Sequence, residues 1–326
     1  MAKDDTMDLA RVNERAFGWS QGLSRLTLIR AALLLLIAAF ALTTPGFLSV
    51  PSLTALLTNL SFVGCISIGM TFITLSGNVM SFALGATAAV AAVVFVNVLN
   101  LAGYPAAVLA ALFSGALITA VQGALIGGVR ANPIIVSIAA NVLIYGCAEW
   151  LTNNETVHIA APMLALPLQG KLAGLPVEFI VFLAATIVAQ FVLSLTIFGR
   201  NLFYIGSGLP AAEAVGLPTI RTATTAYFWA GLFSSVAGIL LASRFVQANM
   251  EFALHYDYDA IAAVLVGGTA IQGGSGSALR TFIGVVAISV IQVLLLLYGL
   301  REEWRLFITG LIVLVVIVLY SNRQRN

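Results

Sequence analysis

An all-α integral membrane protein, a bundle of about ten transmembrane segments, is the fold this sequence predicts. Three observations point there. Hydrophobic residues make up 60% of the 326 and charged ones only 9%, with a mean hydropathy of +1.04; soluble domains carry about 25% charged residues. Apolar stretches approaching the roughly 20 residues that a helix needs to cross a bilayer recur along the whole chain. Lysine and arginine are shared unequally between alternate connections. A chain with so little polar surface cannot cover a water-soluble globule.

Residues 1–27 are polar and read as a cytoplasmic N-terminal segment. The run AALLLLIAAFAL follows. Ala39, Phe40 and Ala41 only faintly mimic a signal-peptidase site, and the polar lead is long for a signal peptide, so the reading is an uncleaved first span. The apolar segments then fall at 28–44, 53–75, 82–102, 105–129, 133–151, 177–198, 222–243, 259–273, 281–299 and 306–321. The eighth, 259–273, is short and ends in glycine, so it reads as a half-helix or as running on into the turn. A single transmembrane domain thus covers 28–321, and 322–326 form a tail. With the N-terminus in the cytoplasm, the inside receives eleven Lys and Arg, and the outside four: Lys171, Arg244, Arg301 and Arg305. The inverse topology would invert that ratio, so both termini are placed inside. Two hydrophilic stretches stand out, 152–176 outside and 199–221 inside.

Several function classes fall away. Cys65 and Cys147 lie in apolar stretches and read as small buried hydrophobes. His158 and His255 stand alone, without a second ligand at metal-site spacing. No HExxH and no defensible Ser-His-Asp set appears, so no enzyme is predicted. No basic patch with interleaved aromatics suggests nucleic acid. The glycine-rich stretch LVGGTAIQGGSGSALR lacks the lysine of a phosphate-cradling GxxxxGK[ST] loop. Gly267, Gly268, Gly273, Gly274 and Gly276 read instead as a structural turn that permits close helix approach.

Polar side chains at membrane depth cost energy and need partners. Asn59, Asn78, Ser81 and Asn141 are such residues, and they are the candidates for a pathway whose amides hydrogen-bond the hydroxyls of a neutral solute. The competing reading is interhelical adhesion. Asn78 is the leading candidate, because Ser76 and Gly77 can unwind the backbone beside it. Full charges are missing from the middle of the predicted spans, which argues against a proton-coupled antiporter. Asp257 and Asp259 precede the eighth segment and read as caps of its N-terminus or as contacts for an outside partner. In the inside stretch, Pro210 suits the first turn of a short amphipathic helix, and Glu213 is expected in that same turn, where it would complement the helix dipole.

Four blocks carry a resemblance. YDYDAIAAVLVGGTAIQGGSGSALRTFIGVV (256–286), GRNLFYIGSGLPAAEAVGL (199–217), VRANPIIVSIAANVLIYGCAEWLT (129–152) and, more weakly, GMTFITLSGNVMSFALGA (69–86) resemble the permease subunits of ribose-type ABC importers. The likeness spans roughly residues 50 to 320. Two departures are visible: His255 stands where a glycine is usual, and no Asp follows Gly77 where the family reads Gly-Gly-Ile-Asp-Leu-Ser.

The resemblance implies a permease in a bacterial inner membrane, paired with a second permease copy in the lipid bilayer. It implies a cytoplasmic ABC ATPase subunit, which binds ATP and Mg so that this chain holds no cofactor of its own, and an extracytoplasmic solute-binding protein. It assigns the coupling role to the loop holding Gly199, Arg200, Gly206, Ala211, Ala212, Glu213 and Gly216. The implied cargo is a small neutral solute such as a monosaccharide. Branched-chain amino acids or nucleosides on the same architecture, and an ATPase-independent carrier or channel, remain as rivals.

Overall fold

The computed structural model describes residues 43–160, 166–172 and 174–321. The predicted first span, except its last two residues, and the segments 1–27 and 322–326 lie outside them. The chain divides into a short unit ending at Leu48 and a large unit from Ser49 onward. Within the large unit, the described helices are α1 (Val50–Leu75), α2 (Leu84–Ala102), α3 (Tyr104–Val129), α4 (Pro133–Thr152), α5 (Leu166–Gln169), α6 (Val177–Leu195), α7 (Ile197–Ser207), α8 (Leu209–Ala214), α9 (Thr219–Phe245), α10 (Tyr256–Gly267), α11 (Ala278–Leu297) and α12 (Glu302–Ser321). Two-residue strands pair antiparallel, β1 (Val157–His158) with β4 (Gln247–Ala248) and β2 (Lys171–Leu172) with β3 (Leu175–Pro176).

Seven of these helices, α1, α2, α3, α4, α6, α9 and α11, are long and apolar enough to cross a membrane. α10 has only 12 residues. At 1.5 Å per residue it is about 18 Å long, little more than half of a hydrocarbon core of about 30 Å. The eighth predicted segment is therefore a half-helix, and its glycine-rich end is turn. The single helix expected in 199–221 is two helices, because Gly208 ends α7 and caps the start of α8.

Helices α1, α4 and α11 begin at a residue whose side chain caps them. The Ser49 side chain accepts the Ser52 N–H at 3.4 Å, and Pro51 sits in the first turn of α1. Asn132 accepts the Ile134 N–H at the start of α4, and Ser277 accepts the Arg280 N–H at the start of α11. Apolar on every side, α1 has no polar face to show and lies at the centre of the bundle. Phe72 near its end stacks with Phe198 of α7 and with Trp229 and Phe233 of α9. α3 and α9 approach closely where Gly115 faces Gly231, each glycine meeting the other's backbone carbonyl. α4 lies outermost: Trp150 is 79% exposed. Cys147, expected to be buried, lies exposed on the same helix, while Cys65 is buried on α1. An apolar neighbourhood in sequence does not distinguish a core from an outer face when both are greasy.

Two stretches interrupt the helical pattern within the bundle, 76–83 between α1 and α2, and 268–277 between α10 and α11. Irregular backbone at membrane depth is stable only where protein satisfies its polar groups or where it lines a cavity. Here the protein supplies the bonds. The Ser81 N–H points to Met70 Sδ (3.3 Å), its hydroxyl accepts the Ala83 N–H (3.3 Å), and Asn141 of α4 donates to the Phe82 carbonyl. Asp257 of α10 caps the buried N-terminus of α2 by accepting the Gly85 N–H at 2.8 Å.

Candidate functional site

Most of the candidate residues gather at the two ends of α10. At one end lies the 199–216 loop. Gly199 sits at the corner between α6 and α7, its N–H bonded to the Thr196 hydroxyl at 3.0 Å, where a Cβ would overlap the carbonyls of Val192 and Leu193. Arg200 is exposed. In α8 the two alanines part company: Ala211 faces out, whereas Ala212 is only 3% exposed and packs within the chain. Leu209 and Val215 add exposed apolar surface, Val215 at 76%. Gly216, with φ +76°, reverses the chain after the helix. Glu213 is not in the first turn. α8 starts at Leu209, so Glu213 is its fifth residue, and no acidic group occupies the first turn. Its carboxylate instead receives both bonds from one Arg130 nitrogen, at 2.9 and 3.1 Å. That pair ties the loop to the end of α3.

Three backbones meet beside this loop. Gly274 donates its N–H to the Leu75 carbonyl (3.2 Å), closing the end of α1 onto the 268–277 turn. Gly206, at the end of α7, fits between them: a Cβ there would overlap the Leu75 carbonyl and come within 2.5 Å of the Gly274 nitrogen. A Cβ on Gly273 would lie 2.6 Å from the Gly77 backbone, and one on Gly274 2.7 Å from the Ser207 nitrogen. Gly77 and Gly273 also hold φ of +82° and +89°, a region that strains any side-chain-bearing residue. Gly267 packs on the Arg280 carbonyl, Gly268 ends α10 in the left-handed conformation, and Gly276 packs on Thr269. The N–H groups of Gly268, Gly273 and Gly274 bond the carbonyls of Leu265, Ala270 and Leu75, so these three are not free to cradle phosphate.

At the other end of α10 a cavity of about 360 Å³ opens between α1, α10, α11, α12 and the loop before α10. Its polar lining forms a connected set. Asn59 donates to Gln292 Oε1 at 3.1 Å, and the Gln292 side chain also reaches the Asp259 carboxylate. Asp259 is 7% exposed. Arg305 lies close enough to act on the Asp259 charge, and its Nε is buried with no hydrogen-bond partner among the described residues. Tyr256, His255 and Thr309 complete the polar wall.

The four asparagine and serine candidates therefore do not converge. Asn59 lines the cavity. Ser81 and Asn141 fasten the 76–83 stretch, and Asn78 within it donates to Ser76 Oγ at 2.9 Å. Along α1, Asn59 and Leu75 are separated by about 24 Å of helix axis. Asp257 and Asp259, expected as caps of their own helix, lie inside its first turn, where the N-cap is His255 and makes no side-chain bond. Both are buried in the first turn of α10, which is not among the seven helices long enough to span, and the middle of those seven holds no charged residue. Gln292 was missed, although a lone amide in AISVIQVLLLLYG carries the same signal that singled out the asparagines. Arg305 gives no such signal, since it sits at a segment boundary beside other charges.

The family model described as "Branched-chain amino acid transport system / permease component" matches residues 52–317. The chain belongs to that family. The permease is 29% identical over 295 residues to the ribose import permease protein RbsC of Bacillus subtilis (strain 168), covering 90% of this chain and 91% of the relative. It is 29% identical over 310 residues to the autoinducer 2 import system permease protein LsrD of Escherichia coli (strain K12), covering 93% and 92%. Both relatives are named as transport proteins, not enzymes. The matched residues take in the glycine contact and the cavity alike.

Proposed function

We propose that this permease forms the membrane pathway of an ATP-binding-cassette importer for a monosaccharide-sized neutral solute in a bacterial inner membrane. The observation that carries the reading is the near-full-length likeness to permeases named for ribose and autoinducer 2 import. The exposed apolar surface of α8 and its C-cap, with Leu209, Ala211 and Val215, is the surface offered to a cytoplasmic ATPase, and the packed Ala212 anchors the helix to the rest of the chain. A second permease copy completes the pathway, and an extracytoplasmic binding protein delivers the solute. In this arrangement both termini are cytoplasmic. Within 43–321 the basic residues divide evenly between the two ends, four and four, so the inside excess comes from the terminal segments.

The test is reconstitution. Proteoliposomes holding the permease, its ATPase and its binding protein should accumulate labelled pentose or hexose only when ATP is present on the ATPase side. Accumulation by the permease alone would replace this mechanism with a carrier or channel. Accumulation of leucine in place of sugar would keep the mechanism and change the cargo.

A further inference from the structure

We infer that the cavity at the N-terminal end of α10 is a binding site for an uncharged polyhydroxylated solute, held by Asn59, Asp259, Gln292 and Arg305. This deepens the importer reading and rests on it for the cavity's place in the pathway.

The argument begins with bond directions. The Asn59 amide donates to Gln292 Oε1, and the Gln292 side chain lies beside the buried Asp259 carboxyl group. Each amide keeps a second N–H, and the Asn59 oxygen and the carboxylate lone pairs of Asp259 give this side of the lining an acceptor wall. Arg305 brings the complementary set: a guanidinium carries five N–H donors and accepts nothing, and here its Nε lacks a partner. A hydroxyl both donates and accepts. Adjacent hydroxyls on a sugar ring can therefore bridge the acceptor wall and the guanidinium. Tyr256 adds an apolar ring face with a polar tip.

Charge narrows the ligand further. Glu251, Asp259 and Glu302 line the cavity against Arg305 alone among the permanently charged cations. A carboxylate-bearing solute would meet this acidic excess, whereas hydroxyls meet acceptors they can satisfy. The volume, about 360 Å³, falls within the roughly 300–1,000 Å³ common for small-molecule sites. Asn59 and Gln292 are bonded to each other before any ligand arrives, so less ordering is left to oppose binding.

The experiment uses the full-length permease in membrane vesicles, with Cys65→Ser and Cys147→Ser as background and Thr309→Cys or Leu306→Cys added in the cavity wall. A small charged methanethiosulfonate reagent should modify the new cysteine. A panel of pentoses and hexoses should include at least one sugar that slows modification about threefold once it stands at about twice its Kd. Leucine at the same concentration should not protect, and Gln292→Leu should remove the sugar protection. Failure of both cysteines to react, protection by no sugar, or equal protection by leucine each overturns the proposal. The importer reading is scored apart, by ATP-driven uptake. Uptake without protection removes the cavity site alone, and protection without uptake removes the importer alone.

Discussion

The two ends of α10 are built on opposite principles. At the end beside the 199–216 loop, the proposed coupling end, Gly77, Gly206, Gly273 and Gly274 bring three stretches of backbone into contact with almost no side chain between them. At the cavity end, side chains do all the contacting: two amides, a carboxylate and a guanidinium. The first arrangement is sensitive to shape and indifferent to polarity. The second is sensitive to polarity and more tolerant of shape, since its members border a cavity. A contact of bare backbones is suited to passing on displacement, because packed atoms cannot absorb it by changing rotamer. A wall of donors and acceptors is suited to choosing a ligand.

Breaking the contrast at the coupling end should have the largest effect. Gly206→Val places atoms where the Leu75 carbonyl and the Gly274 nitrogen already lie. Overpacking of this kind costs about 1–3 kcal/mol or more, and backbone neighbours cannot step aside as side chains do. We expect a lower unfolding temperature in detergent and loss of nearly all ATP-driven uptake. Normal stability and uptake would show that the three backbones are not in functional contact. At the cavity end, Asp259→Asn keeps the shape and alters the bonding. A lost hydrogen bond to a charged group is worth about 1.5–3 kcal/mol, so uptake at low solute should fall by roughly one to two powers of ten with the unfolding temperature little moved. A large fall in stability would assign Asp259 to structure instead.

Smaller effects sharpen the picture. Ala211→Trp adds bulk to the outward face of α8, and should weaken ATPase binding by about 1–3 kcal/mol without disturbing cysteine protection in the cavity. Ala212→Trp is the control: that alanine is packed inside the chain, so the substitution should damage the fold before it reports on docking. Removal of the Arg130–Glu213 pair by Glu213→Gln should cost least. Exposed ion pairs are worth about 0–1 kcal/mol, so uptake should stay within about fivefold of wild type and the difference should shrink in high salt.

Much of the helical framework was legible in the sequence. The segments expected at 105–129 and 133–151 correspond to Tyr104–Val129 and Pro133–Thr152, because the length of an apolar run is a local property. Glycine and small polar residues placed the breaks near 76–83 and 268–277 for the same reason. Facing is not local, and there the reading fell short. Cys147 and Cys65 look alike in sequence yet lie on an outer and a central helix. Ala211 and Ala212 are neighbours with opposite exposure, a distinction set by the helix start at Leu209, which Gly208 fixes. The cavity was harder still. Asp259 and Arg305 look like boundary charges in sequence, and only the packing of α10 against α11 and α12 turns them towards Asn59 and Gln292.

α10 is three turns long, fastened to bare backbone at one end and to a polar cavity at the other, with Asp257 gripping the start of α2 on the way. Such a rod has little room to let its ends disagree. If ATPase docking shifts it and thereby changes how tightly the cavity holds a solute, thermodynamic reciprocity requires the converse by the same factor. An occupied cavity must then change the grip of the ATPase on α8. The loaded and empty permease would present different handles to the cytoplasm, and the cell would read the presence of cargo outside as an altered affinity within.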